Sequence, residues 1–186
     1  MNILIDNVDL IVKNRIQEAF NTDFRYAIMF ELLMQDRKLS KQTKLYQSIK
    51  IFYPNHVENI EKAIDNILWF YGGGKDSTIK KETKETKKKQ IYSYEFDANL
   101  IYAAFKSQYN IDLQKDKLHW WIFKAMFEGL NKDNKIVEIM GYRAMDISKI
   151  KDKEEKNKFK ELKKIYALPD MRTLEEKEAD FGEAFW

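Results

Sequence analysis

Hydrophobic residues recur at helical spacing through the first half of the chain. After residue 21, large apolar side chains return every three or four positions, as in Phe24, Ile28 and Leu32. This period places them on one face of an α-helix. The spacing therefore predicts three helices, over residues 22–36, 40–53 and 55–71.

Polar residues mark the expected ends of these helices. Ser40 is placed to cap the second helix, and Pro54 stops it. Asn55 and Glu58 have the spacing of a capping box, which predicts that the third helix begins there. Gly72 follows its last apolar residue and supplies a C-terminal stop.

The second half is predicted to be helical almost throughout. The predicted helices are 97–109, 118–130, 136–140, 149–164 and a last one from Thr173. The helix over 118–130 is apolar around most of its circumference, with Trp120 and Phe127 on one of its two stripes. Such a helix either lies in the core or offers part of its surface to a partner.

The N-terminus shows a shorter, alternating pattern. Residues 2–6 and 8–12 are rich in Ile, Leu and Val and are separated by Asn7, and residues 16–20 continue the alternation. Alternation over a few residues is typical of half-buried strands. The predicted fold is therefore mainly α, a helical bundle with a small N-terminal β-hairpin.

Composition excludes several classes of protein. The 186 residues include no Cys, 6 Gly and 2 Pro, which excludes a disulfide framework, a cysteine metal site and a thiol nucleophile. No apolar run approaches the roughly 18–20 residues that span a bilayer. The N-terminus lacks the basic start and apolar core of a signal peptide. We therefore expect a soluble intracellular protein without a membrane partner.

The basic charge is concentrated in one segment. Residues 75–89 hold seven Lys and three acids, a net of +4, whereas the whole chain is +3. Since Ile79 is the only large apolar residue there, residues 72–90 are predicted to be a flexible, disordered linker. The Lys side chains either solubilise this linker or contact nucleic acid. The net charge of −1 on the rest of the chain argues against nucleic acid as a partner.

The sequence contains little that points to catalysis. His56 suits an exposed helix start, and His119 is interpreted as a structural histidine rather than a base. The run 72–75 lacks the spacing of a phosphate loop and follows a helix rather than a strand. Acid pairs lie in charged helical surroundings, where solvation explains them. We predict no enzyme activity, no cofactor and no metal.

Aromatic residues make up 14% of the chain, and those at its C-terminus are the least readily explained by a core. Phe181, Phe185 and Trp186 either dock on their own domain or bind a partner or a second copy. Together with Trp120 and Phe127 they are the candidate partner-binding residues.

Several motifs resemble, in their order and spacing, the bacteriophage gene product fifteen family of siphophages that infect Gram-positive bacteria. In this chain they are TDFR at 22–25, FYGGG at 70–74, IYAAF at 101–105, LHWW at 118–121, FEGL at 127–130, IMGYR at 139–143, DISKIKD at 146–152, YALPD at 166–170 and EADFGEAFW at 178–186. The resemblance covers nearly the whole chain and is strongest over residues 91–186.

The resemblance implies a tail morphogenesis protein without catalytic residues. It points to a tail assembly chaperone in the host bacterial cytoplasm, with the tape-measure protein or another tail protein as partner and homo-oligomers as a further possibility. The alternative is a nucleic-acid-binding or packaging factor that acts through the Lys-rich segment. We divide the chain into residues 1–71, the linker 72–90 and residues 91–186, with the two outer parts packed as one domain.

Overall fold

The computed structural model describes residues 2–75 and 90–170, and within them the fold is mainly α. The predicted mainly α character is therefore confirmed. The helices of this part are α1 Val8–Arg15, α2 Phe24–Gln35, α3 Lys41–Phe52, α4 Ile60–Tyr71, α5 Ala98–Tyr109, α6 Trp120–Glu128, α7 Lys135–Ala144 and α8 Lys153–Ile165, with a 3-10 helix over Ile147–Lys149. The described residues form no strand, and their one isolated β-bridge joins Asp23 to His119.

The predicted N-terminal hairpin is wrong. Residues 3–5 form a turn that Asp6 holds by accepting a hydrogen bond from the backbone N–H of Asn2 at 2.6 Å. Asn7 is the N-cap of α1, since its side-chain oxygen accepts from the N–H of Leu10 at 3.0 Å. Val8 and Val12, one turn apart, then face the core. In the predicted hairpin Asn7 separates two strands, whereas in the structure it is the cap of a helix.

The stops and starts of the next helices are mostly as predicted. Ser40 caps α3 by accepting from the N–H of Thr43 at 3.1 Å, and Gly72 follows α4 as its C-cap. The capping box at Asn55 is wrong, because Asn59 caps α4 instead, accepting from the N–H of Lys62 at 2.9 Å.

In the second half, α6 is shorter than the predicted 118–130 and α7 is longer than the predicted 136–140. Helix α5 ends at Asn110, which adopts a left-handed conformation with φ of 54°. Helix α7 continues through Gly141 to Ala144. The helix predicted from Thr173 lies outside the described residues.

A buried ion pair replaces the cap predicted at Asp97. Its carboxylate makes no capping hydrogen bond to α5. Instead it accepts from both terminal nitrogens of Arg143, at 2.6 and 3.0 Å, and from the N–H of Ser93 at 2.9 Å. Arg143 also donates from Nε to the carbonyl of Tyr166 at 2.6 Å. Arg143 therefore links α7 to the start of α5 and to the end of α8.

Aromatic side chains fill the centre of the molecule. Helix α3 packs between α2 and α4, α6 packs on α2, and α7 contacts both α5 and α8. Phe123 of α6 is fully buried, and its ring stacks on Phe24 at 4.7 Å and on Phe105 at 4.8 Å between ring centroids. Side chains of α2, α5 and α6 therefore meet in one core.

The two halves of the chain join along residues 22–25 and 113–120, which we call the junction. Phe24 donates its N–H to the carbonyl of Leu118, and Trp120 donates to the carbonyl of Thr22, both at 2.9 Å. Arg25 donates to two further carbonyls, of Leu113 at 2.6 Å and of Asp116 at 2.9 Å. Residues 76–89 of the predicted linker lie outside the described residues, and the proposed division of the chain stays a prediction.

Candidate protein-binding surface

Two of the candidate binding residues lie in the core. Trp120 is 2% exposed, and its ring stacks on Tyr71 with centroids 5.5 Å apart. Phe127 is also buried, one helical turn after Phe123 on the same face of α6. Of the two interpretations that the sequence left open for this helix, the burial favours the core. A partner-binding role for both residues stays a prediction.

Polar atoms at the start of α6 are held by the first half of the chain. The indole N–H of Trp120 donates to the carbonyl of Tyr71 at 3.1 Å, and that of Trp121 donates to the carbonyl of Phe70 at 2.7 Å. His119 is the N-cap, since its Nδ1 accepts from the N–H of Trp121 at 3.1 Å. These contacts give His119 a structural place, as the sequence indicated.

The environment of His119 disfavours its charged form. The side chain is 8% exposed, and burial lowers its pKa below the ordinary value of 6.5, although the carboxylate of Asp9 acts in the opposite direction. Because Nδ1 is occupied by the cap hydrogen bond, the neutral ring carries its proton on Nε2. That nitrogen has no hydrogen-bond partner among the described residues. This environment favours the neutral ring.

The remaining candidates, Phe181, Phe185 and Trp186, lie outside the described residues, and their role stays a prediction.

Exposed apolar surface lies mainly in the first half of the described chain. The described residues include twelve large hydrophobic side chains that are exposed. Ten of these lie between residues 3 and 68, and two lie after residue 90. The ten, which we call the apolar surface residues, are Ile3, Leu4, Ile5, Leu10, Met29, Met34, Leu45, Tyr46, Ile60 and Leu68. Single exposed apolar residues are ordinary, whereas a contiguous exposed apolar patch is typical of binding surfaces.

The N-terminal turn carries the most exposed members of this group. Leu4 is 88% exposed and Ile5 is 80% exposed. The turn is closed locally by Asn2 and Asp6, so it holds these side chains outward without a strand partner. Sequence analysis missed them because it assigned them to a half-buried strand. The signal available was the run of three apolar residues between two polar ones that close a turn.

A cavity of about 270 Å³ lies where α2, α4, α6 and α7 approach one another. We call it the tyrosine cavity. Its lining is Glu31, Tyr71, Tyr92, Tyr94, Trp120, Lys124, Phe127, Glu128, Leu130, Val137 and Met140. Aromatic rings thus form much of its wall, and two carboxylates and one ammonium group lie among them. Trp120 and Phe127 contribute to this wall.

Glu31 is the polar centre of the tyrosine cavity. Its carboxylate accepts hydrogen bonds from the hydroxyl of Tyr71 and, at 3.1 Å, from the amide of Gln35. Burial raises the pKa of Tyr71 well above 10.0, and the hydrogen bond and charge of Glu31 raise it further. Burial likewise raises the pKa of Tyr92 and Tyr94, and Glu31 contributes to both. The tyrosines therefore stay protonated beside a negative charge.

Among residues 2–75 and 90–170, no group of three His, Cys, Asp or Glu side chains is arranged to hold a metal ion. No helix in that part is both long and apolar enough to span a membrane.

Comparison with known proteins identifies the family. No curated protein and no solved structure matches the chain. The family model described as bacteriophage Gp15 protein matches residues 4–168 of the 186. This range contains nearly every described residue, including the junction, the tyrosine cavity and nine of the ten apolar surface residues. The chain therefore belongs to the bacteriophage Gp15 protein family.

Proposed function

We propose that this protein is a phage tail assembly chaperone that binds apolar helical segments of the tape-measure protein. Membership of the bacteriophage Gp15 family supports a role in phage biology. The resemblance on which we base the finer role implies a morphogenesis protein that works in the cytoplasm of the infected bacterium. On this proposal it binds its client before the tail is complete and does not catalyse a reaction.

The observation that carries this proposal is the concentration of exposed apolar side chains between residues 3 and 68. A chaperone for an apolar helix needs accessible aliphatic surface on a folded scaffold. Burial of such surface stabilises a complex by about 25 cal/mol per Å² of apolar area, before the cost of association. Met29 and Met34 suit the purpose, since the flexible thioether side chain adapts to clients of different shape.

Coexpression with the tape-measure protein of the same phage tests the proposal. We expect the two proteins to copurify, and we expect moderate salt to leave the complex intact because apolar burial holds it. The double variant Leu4→Ser, Ile5→Ser should bind clearly less client, since it removes the two most exposed apolar side chains of the first half. Its circular dichroism spectrum and melting temperature should stay unchanged, because these side chains make little contact with the core.

Ile165→Ser is the matched control. Ile165 is 70% exposed but lies in the second half, at the end of α8, so its loss should leave client binding intact. The proposal fails if tape-measure protein stays insoluble and unbound in the presence of this chain. Equal loss of binding in the control and in the double variant would show that the client does not bind specifically at Leu4 and Ile5.

The salt dependence separates this proposal from the nucleic-acid alternative. A complex with nucleic acid through the Lys-rich residues 75–89 would weaken steeply as salt rises and would disappear when that segment is deleted. Analytical ultracentrifugation compares the oligomeric state of the double variant with that of the unmodified protein. A smaller oligomer for the double variant would show that Leu4 and Ile5 join copies of this chain.

A further inference from the structure

The tyrosine cavity is large enough for one long side chain. Its volume of about 270 Å³ lies just below the range of roughly 300–1,000 Å³ that is usual for small-molecule pockets. Aromatic rings and aliphatic side chains form most of its wall, and the polar groups are few and converge. A guest with a flat or slender apolar body and one polar end would fit this lining.

The charges in the cavity favour a cation as that polar end. Glu31 and Glu128 bring two carboxylates, whereas Lys124 brings one ammonium group, so the lining has a net charge of −1. Glu31 is fixed in place by the hydroxyl of Tyr71 and the amide of Gln35, so it need not reorganise to meet a guest. Its charge contributes to the raised pKa of the Tyr71, Tyr92 and Tyr94 hydroxyl groups, which line the same cavity.

The aromatic rings add to this preference. The face of an aromatic ring carries partial negative charge and attracts cations within about 6 Å of the ring centre. The lining contains five aromatic rings, those of Tyr71, Tyr92, Tyr94, Trp120 and Phe127. The chain itself shows the interaction, since the ammonium group of Lys124 lies 5.6 Å from the centre of the Trp120 ring.

We propose that the tyrosine cavity binds the side chain of an arginine presented by a partner protein. Charge complementarity selects a cation, and the flat aromatic walls select the guanidinium group, which is planar, weakly hydrated and stacks on aromatic rings. The carboxylates of Glu31 and Glu128 accept its N–H groups, which form charge-assisted hydrogen bonds. Lys124 lies at the same wall and competes with the guest. The inference does not depend on the tape-measure protein as partner.

Nuclear magnetic resonance with a single-residue probe tests this proposal. The indole N–H signals of the protein are assigned with Trp120→Phe, and the unmodified protein is titrated with N-acetyl-arginine methylamide. We expect the Trp120 signal to shift in a saturable way, because this indole is part of the cavity wall. N-acetyl-norleucine methylamide, which has an apolar side chain of similar length, should produce a much smaller shift at equal concentration.

Charge variants give the matched comparison. Glu128→Gln removes one carboxylate from an exposed position and should weaken arginine binding about threefold or more. Lys124→Met removes the competing ammonium group and should strengthen binding by a similar factor. Glu161→Gln, an exposed acid of α8 that does not line the cavity, should leave binding unchanged.

The proposal is overturned if the arginine probe gives no saturable shift, or if the norleucine probe binds equally well. It is also overturned if Glu128→Gln and Glu161→Gln weaken binding to the same extent, because the cavity would then not be the site. Tighter binding of a lysine probe than of the arginine probe would also contradict the proposal, because the cavity would then prefer an ammonium group to a guanidinium group.

Discussion

His119 shows how one side chain at the junction couples the fold to pH. Its Nδ1 accepts the cap hydrogen bond of α6, and Phe70 and Trp121 meet its ring edge to face at 5.5 and 5.0 Å. Protonation of the imidazole would remove the acceptor and place a charge among aromatic rings. The folded state therefore holds the neutral ring, and its pKa is lower than in the unfolded chain.

We predict that stability falls as the pH falls below the ordinary histidine pKa of 6.5. Above that value the ring is neutral in both states and its contribution is complete. Below it the unfolded chain binds a proton that the folded state resists, so the free energy of unfolding falls by about 1.4 kcal/mol per pH unit until the folded ring is also protonated. Among the described residues, the carboxylate of Asp9 favours the charged ring, which narrows the pH range over which this stability is lost.

Urea unfolding at a series of pH values, with two histidine variants, measures this effect. His119→Asn keeps a capping oxygen but cannot titrate near neutral pH, so it should flatten the dependence of stability on pH between about 5 and 7. His56→Asn changes an exposed histidine and should leave the dependence in place. If both variants retain the slope of the unmodified protein, its source is not the cap of α6.

At the level of single residues, local capping hydrogen bonds could be predicted from the sequence, whereas long-range contacts and burial could not. Ser40 was recognised as a cap because its hydroxyl precedes a helical stripe, and the capping bond is local. Asp97 was recognised as polar at a helix start, but its carboxylate binds Arg143, 46 positions away. Exposure is equally non-local, because Leu4 and Trp120 differ in burial only through what packs on them. No local pattern contains that information.

At the level of elements, two glycines illustrate opposite requirements. Gly74 follows α4 with φ of +74°, and a Cβ there would lie 2.9 Å from the ring of Trp121. Gly141 lies inside α7, and a Cβ there would meet no atom within 4 Å. Position 74 requires glycine, because of both the backbone conformation and the lack of space for a Cβ. At position 141 neither requirement applies, and glycine only lowers the stability of the helix.

We predict that alanine at these two positions changes stability in opposite directions. Gly141→Ala should raise the free energy of unfolding by about 0.5–1 kcal/mol, as expected for glycine replaced inside a helix. Gly74→Ala should lower it by about 1–3 kcal/mol, because a left-handed residue is forced against a buried indole. Thermal unfolding of both variants under the same conditions gives the comparison. A stabilising Gly74→Ala would show that the turn after α4 does not pack on Trp121.

Elements were predictable where the hydrophobic stripe was long. Helices α2 to α5 each carry about three turns of regular spacing. Their predicted ends agree closely with the structure, except that α4 begins at Ile60 rather than at residue 55. Helix α1 has two turns and two buried residues, Val8 and Val12. Over so few positions, helical spacing and strand alternation both fit. The N-cap bond of Asn7 decides between them, and that bond was not recognised in the sequence.

At the level of the whole molecule, the junction makes the two halves depend on each other. Backbone hydrogen bonds of Phe24 and Trp120 cross it, and the stacked rings of Phe24 and Phe123 lie beside it. Arg25 adds two hydrogen bonds to carbonyls of the segment before α6. Neither half can bury these groups alone, so the described helices should unfold together.

We predict one unfolding transition for the described fold. Tryptophan fluorescence, which reports on Trp69, Trp120 and Trp121 among others, and far-ultraviolet circular dichroism should give the same urea midpoint. Arg25→Ala should lower both midpoints equally, since it removes hydrogen bonds that cross the junction, and Lys38→Ala on the exposed loop after α2 should change neither. Two separated midpoints would show that the halves unfold independently.

The junction also has a consequence for synthesis on the ribosome. The partners of Asp23 and Phe24 lie about 95 residues later, as the hydrogen bond from the N–H of Leu118 to Asp23 shows. At a translation rate of roughly 5–20 residues per second, the aromatic face of α2 waits about 5–20 s for α6 to be made. During that interval the nascent chain itself exposes an apolar helix face, and slow translation through the intervening codons would lengthen its exposure to aggregation.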